Sequence, residues 1–386
     1  MDFKPVSVNR CDTYDVKIVE TVLEKQFSAA GITEDMLRGK KVVMKPNLVM
    51  NKKPDFAATT NPAVAAAAVR IVKKLGAASV LVAESSGGPY SEGTMRTHYN
   101  GCGFTSMALE EGAELNFDAS SKIVAYPEGE ECRSFNVISP IADADVILNI
   151  CKLKTHSLTM MSCAVKNFYG VIPGTEKVEM HARFSDPGVF QNMLCDLCLA
   201  VCGKKTVISV CDGIVGMEGN GPTGGTPKKY GVLMTSLSPF CLDLAAEHIM
   251  GFDSKVPFVS SARRRGLCPD SWKDLSVAGT SPDELVVSEL KLPDTARSLL
   301  ANFQNIFGGR LVNFLSPRPV INTSKCIGCG RCAASCPGKT IVIKTYKNGK
   351  KAHIDSKNCI RCYCCQELCP INSVKIKKNL LLRLVH

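Results

Sequence analysis

Two short cysteine runs near the carboxyl end restrict this 386-residue chain more than any other feature. Cys326, Cys329, Cys332 and Cys336 follow the spacing C-x2-C-x2-C-x3-C and precede Pro337. Cys359, Cys362, Cys365 and Cys369 repeat that spacing and precede Pro370. Closely spaced thiolates on a short loop suit an iron–sulfur core, which needs several soft ligands around one centre. The run is that of bacterial modules with two [4Fe–4S] clusters, in which the fourth cysteine of each run ligates the other cluster. The expected ligand sets are therefore Cys326, Cys329, Cys332 and Cys369, and Cys359, Cys362, Cys365 and Cys336. Zinc and disulfides are the competing uses of cysteine, but zinc pairs are separated by a longer gap and lack the repeated proline. Cys364, inside the second run, reads as a spare thiol.

The rest of the composition is that of a globular chain, with 45% hydrophobic residues and no run of 18 apolar residues. The first residues, MDFKPVSVNRCD, lack the apolar core of a signal peptide. Twenty cysteines without an export signal argue for a reducing compartment, hence for the cytoplasm of an organism living with little oxygen. The net charge of +11 is concentrated: from Ile321 to Lys378, twelve Lys and Arg face Asp355 and Glu367, a surplus of ten. Such a basic module suits an acidic redox partner such as a ferredoxin, flavodoxin or reductase, because opposite fields steer encounter. Nucleic acid is the rival ligand, but no stacking aromatics accompany the lysines. No nucleic-acid or membrane partner is expected.

Upstream, strand-like runs alternate with helix-length segments. VVMKPNL within 41–50, 79–84, DVILNICKL at 145–153, TVISVC at 206–211 and 230–235 read as strands. Helices are expected around 16–27, 62–75 and 242–250, the second opening with Pro62. This alternation implies an α/β fold, a mostly parallel Rossmann-like sheet over residues 1–285. A small α+β ferredoxin module with two clusters should occupy 321–378. A helical connector over 286–320 joins them, and a short apolar tail, 379–386, packs back.

In such sheets ligands sit at the carboxyl ends of the strands. There Lys152, Lys154 and His156 alternate along one strand, so all three should face one side and suit a phosphate or carboxylate. Lys166 and Asn167 precede a glycine-rich turn, and burial would lower the Lys166 pKa towards that of a nucleophile. Lys166 and His156 are the catalytic candidates. Lys45, Asn47, Thr59, Thr60, Lys152, Lys154, Asn167 and Glu218 are candidates for holding an unidentified anionic or nucleotide cofactor. Asn61 and the threonines before it also read as plain helix capping. His181, in a polar stretch, reads as structural. Cys195, Cys198 and Cys202 have helical spacing and read as the buried face of a helix, with a third cluster as the alternative.

The segments KPN (45–47), TTNP (59–62), KLKTH (152–156), AVKNFYG (164–170) and MEGNGP (217–222), taken in order, resemble the Domain of Unknown Function 362 family with a fused bacterial-type ferredoxin. The resemblance implies a cytoplasmic iron–sulfur protein. A fainter similarity, in His156, Lys166 and Pro173-Gly174, is to the nickel-pincer lactate racemases. It implies a lysine that tethers a cofactor and a histidine that binds metal, here Lys166 and His181. The arginine motif and the paired catalytic histidines of that family are not evident. The leading expectation is an electron-transfer enzyme or accessory. A non-enzymatic carrier or adaptor and a non-redox enzyme of the pincer type are the alternatives.

Overall fold

Strand Val146–His156 is the axis of the molecule: all eleven of its residues are buried. The computed structural model describes residues 3–295 and 317–377. In chain order the strands are β1 Val6–Arg10, β2 Lys41–Pro46, β3 Ser79–Val82, β4 Glu114–Leu115, β5 Ser121–Ala125, β6 Ser134–Ile138, β7 Val146–His156, β8 Met160–Ser162, β9 Thr206–Glu218, β10 Thr226–Ser236, β11 Val277–Gly279, β12 Arg318–Ile321, β13 Ile341–Tyr346, β14 Gly349–Ile354 and β15 Val374–Lys377. One sheet runs in the order β11-β1-β10-β9-β7-β2-β3-β4, with β8 paired to β7. The five strands β9, β7, β2, β3 and β4 are parallel. Strand β10 is antiparallel to both β9 and β1. The fold is thus the expected α/β sheet, mostly parallel, and the strands run further than their apolar segments: β7 continues to His156 and β9 to Glu218.

The alternation of β7 explains why both faces are covered. Val146, Leu148 and Ile150 pack with helices Val16–Ala29 and Pro62–Lys74, through Val19, Leu23, Phe27, Val69 and Val72. Ile147, Cys151 and Leu153 face the other core, with Leu194 and Leu197 of helix Pro187–Cys202 and Leu242 and Ile249 of helix Pro239–Ile249. A strand buried on both faces is what a parallel sheet between helical layers requires. Three of these helices share one start signal. Asn61, Asp186 and Ser238 each accept a backbone N–H in the first turn, and proline follows each of them. Proline there gives up an N–H that the helix leaves unpaired anyway.

The ferredoxin module consists of the pairs β12–β15 and β13–β14 with short helices Arg331–Ala334 and Cys364–Glu367. Two expectations meet a different chain. Residues 286–295, assigned to a helical connector, form no helix; Pro293 disfavours the helical conformation in the residue before it. Arg318–Val320, assigned to the same connector, pair with β15. The remainder of that connector, 296–316, and the tail 379–386 lie outside the described residues. Cys195 and Cys198 are buried in the core, and the Cys198 and Cys202 sulfurs lie 3.8 Å apart.

Candidate functional site

The carboxyl ends of β2, β3 and β7 open onto a cavity of about 90 Å3. Its walls come from both parts of the chain. Asn47, Glu84, Lys154, His156, Lys166, Asn167, Lys177 and His181 belong to the sheet domain, and Cys364, Glu367 and Leu368 to the second cysteine run. The module is seated there by backbone-directed contacts. Gln366 Nε2 donates to the Asn220 carbonyl at 2.9 Å, and Thr223 Oγ1 donates to the Glu367 carbonyl at 2.9 Å. Leu368 lies so close over Gly87 that a Cβ there would stand 2.5 Å from its Cδ2. A side chain at position 87 would have to push the Leu368 methyl aside, so the glycine lets the two surfaces meet without rearrangement.

Of the sequence candidates, Lys154, His156, Lys166, Asn47 and Asn167 come together at the cavity. Lys154 Nζ donates to Asn47 Oδ1 (2.9 Å) and the Ala58 carbonyl (2.8 Å). Asn47 Nδ2 donates to Asn167 Oδ1 (2.9 Å), whose Nδ2 donates to Asn149 Oδ1 (2.8 Å). This amide chain fixes the lysine. Burial, with Lys166 and Lys152 nearby, pulls Lys154 down to about 7. Lys166 Nζ sits 4.3 Å over the Tyr169 ring and makes no hydrogen bond among the described residues; burial lowers its pKa too. His156 Nδ1 accepts from the Leu158 and Thr159 N–H groups at 3.0 and 3.3 Å. Its proton is therefore assigned to Nε2, which faces Glu367 Oε1 at 3.5 Å. Burial and the neighbouring lysines keep this imidazole neutral. Glu367 Oε1 is buried without a hydrogen bond.

The other candidates are placed elsewhere. Lys152 shares the face of Lys154 but not the cavity: its Nζ is bound by Asp212 (2.8 Å) and the Tyr14 hydroxyl (2.9 Å), with both charges buried. The register that sets Lys152 opposite Asp212 on β9 makes this pairing unavoidable. Lys45 lies behind the wall, in contact with Glu84 and the Pro46 carbonyl. Thr60 Oγ1 accepts from the Asn47 N–H and donates to the Ile150 carbonyl, so it ties strands together instead of facing a ligand. Thr59 is fully buried and does not line the cavity. Glu218 accepts from the Lys291 N–H at 3.1 Å, away from the site. His181, read as structural, does line the cavity, stacked on Phe190 with ring centres 4.5 Å apart.

Sequence reasoning missed Lys177 and Glu367. Lys177 Nζ donates to the Ser85 and Ile172 carbonyls at 2.7 and 2.6 Å, and burial draws its pKa down to about 7. No spacing rule points to it. Glu367, between two ligand cysteines, was visible only as a charge.

The cysteine runs form two cradles. Cys326, Cys329, Cys332 and Cys369 surround one, and Cys336, Cys359, Cys362 and Cys365 the other. Backbone N–H groups already point at sulfur: Ala352 to Cys326 (3.4 Å), Thr340 to Cys336 (3.3 Å) and Ser373 to Cys369 (3.1 Å). Four thiols per cradle, with N–H donors to stabilise thiolate charge, fit a [4Fe–4S] core.

A parallel sheet domain joined to such a module defines an iron–sulfur electron-transfer protein. Residues 42–248, more than half of the chain, match the family described as domain of unknown function (DUF362), and the chain belongs to that family. Residues 325–373 match a 4Fe-4S dicluster domain. The chain is 29% identical over 300 residues to a thylakoid-associated protein of Synechocystis, an overlap that covers 75% of this chain and 88% of that protein. No solved structure matches. Among the described residues no helix is long and apolar enough to cross a membrane.

Proposed function

We propose that the cavity binds a small anion, and that this molecule exchanges electrons with an external carrier by way of the ferredoxin module. The observation that carries the reading is the shared wall: Lys154, His156 and Lys166 on one side, Cys364, Glu367 and Leu368 on the other. Two [4Fe–4S] clusters in the cradles would supply one-electron transfers. The chain's own residues do the rest. Lys154, Lys166 and Lys177, with Lys45 behind them, outnumber Glu84 and Glu367, so an anion gains charge-assisted hydrogen bonds on entering. His156 Nε2–H can donate a hydrogen bond to the bound anion, its Nδ1 being held by backbone N–H groups, and the Lys154 ammonium, drawn down to about 7, can supply a proton to a reduced product. A cavity of about 90 Å3 admits a small carboxylate or a phosphate. The carrier is an acidic protein, matched to the surplus of ten positive charges over residues 321–378, and the setting is a reducing cytoplasm.

Lys166→Ala is expected to weaken binding of inorganic phosphate or a small carboxylate by about tenfold or more, the worth of one charge-assisted hydrogen bond. The visible absorbance of the iron–sulfur centres should be unchanged. Calorimetry showing equal affinity in the variant would sink the reading in favour of a carrier or adaptor with an unused cleft. A second reading rests on Lys166 and His181 lining the same cavity, as a tethered, metal-binding cofactor of the pincer type would need. Anaerobic mass spectrometry of the intact chain separates the two, since only that reading adds mass to Lys166.

The buried amines set a pH dependence. Lys154 and Lys177 are cationic below about pH 7 and neutral above it, because burial penalises their charged forms. Affinity for an anion should therefore be highest below pH 7 and decline as pH rises through 7 to 8. Titrations across that range check it; a flat profile would mean that neither amine contacts the ligand.

A further inference from the structure

On the face of β7 opposite Lys152, three cysteines meet that take no part in the cradles or the cavity. Cys151 on β7 and Cys211 on β9 are register partners, and Cys163 directly precedes the short helix Ala164–Asn167. All three side chains are fully buried. The Cys163 sulfur lies 3.5 Å from each of the other two, and all three sulfurs lie within 4.8 Å of one another. We propose that Cys151, Cys163 and Cys211 form a three-thiolate site for one soft metal ion, monovalent copper.

The argument rests on donor chemistry and coordination number. With metal–sulfur bonds of about 2.3 Å, three sulfurs around one ion stand about 3.8–4.0 Å apart, so the two 3.5 Å pairs at Cys163 need to open by only a few tenths of an ångström. The Asp243 carboxylate is turned to the backbone next to Cys163: its two oxygens accept the Ala164 and Val165 N–H groups at 2.6 and 2.9 Å. Among the described residues no fourth Cys, His, Asp or Glu joins the three within 4.8 Å, as the tetrahedron of structural zinc would require. Thiolate-only sites without a fourth donor favour monovalent copper among first-row ions. The thiols release their protons as the ion binds, since only the thiolate is a metal ligand.

The place in the fold gives the ion a use. It would clamp two central strands to the start of the helix that carries Lys166 and Asn167 into the cavity. Because the site has no exposed surface, it would load during folding and not by later addition.

The test uses the full chain, with its iron–sulfur centres, produced anaerobically in copper-supplemented cells. Metal analysis should find about one copper per chain beside the iron, and copper-edge X-ray absorption should show three sulfurs at about 2.3 Å. Cys163→Ser and Cys211→Ser should each lower the copper content at least tenfold at unchanged iron content. Cys198→Ser, at the neighbouring 3.8 Å sulfur pair, should leave it intact. Wild-type protein with less than a tenth of an equivalent would show that the three thiols only pack against each other, and overturn the proposal. Copper that persists in both variants would place the ion elsewhere and overturn it equally. If the variants do not fold, the wild-type spectrum decides alone, and nitrogen or oxygen scatterers reject the site.

Discussion

A chain carrying Cys336→Ala and Cys359→Ala together is expected to retain about half of the wild-type iron, whereas Cys336→Ala with Cys326→Ala leaves almost none. The first pair lies in one cradle, with Cys362 and Cys365, so the second substitution removes a ligand from a cluster already lost. The second pair takes one ligand from each cradle. Changes within one unit are non-additive, while changes in separate units add. Ligation confined to each run would reverse the two outcomes. Iron analysis and visible absorbance of anaerobically purified protein distinguish them without any knowledge of the substrate.

Asp212→Ala should lower folding stability by about 3–5 kcal/mol, the cost of leaving a buried charge without its partner. Lys152 and Asp212 side chains are 1% and 0% exposed, and Asp212 also accepts the Tyr14 hydroxyl at 2.9 Å and the Asn61 N–H at 2.9 Å. Its loss therefore takes an acceptor from three donors at once and leaves the buried Lys152 ammonium with the Tyr14 hydroxyl but no counter-charge. Replacing the pair together, as Lys152→Met with Asp212→Leu, should recover much of the loss, because no lone charge remains. Anaerobic denaturant unfolding followed by far-ultraviolet circular dichroism measures both. A loss of less than about 1 kcal/mol for Asp212→Ala would mean that water reaches the stranded ammonium.

The two lysines of the KLKTH segment show where reading a sequence stops. Alternation along a strand is a local property, and it puts Lys152, Lys154 and His156 on one face. What each side chain meets depends on register with strands distant in sequence. Lys152 faces Asp212 and is consumed by it, whereas two residues further Lys154 reaches Asn47 and the cavity. Lys45 and Glu84 follow the same rule: one lies near the end of β2 and the other two residues beyond β3, and pairing of β2 with β3 joins them.

What the amino-acid order by itself determined is local. The cysteine spacing specifies the chemistry of the last quarter, since eight thiols in two short loops leave few other uses. Apolar runs between helix-length segments specify a parallel sheet, and residues such as Asn61-Pro62 and Asp186-Pro187 specify where helices begin. The tertiary structure decided what lies against what. It seated Glu367 and Leu368 over the carboxyl edge of the sheet, brought Lys177 and His181 into the same cavity, and gathered Cys151, Cys163 and Cys211 from three separate segments. Contacts of that kind are fixed by docking of surfaces remote in the chain, for which neither periodicity nor motif spacing carries a signal.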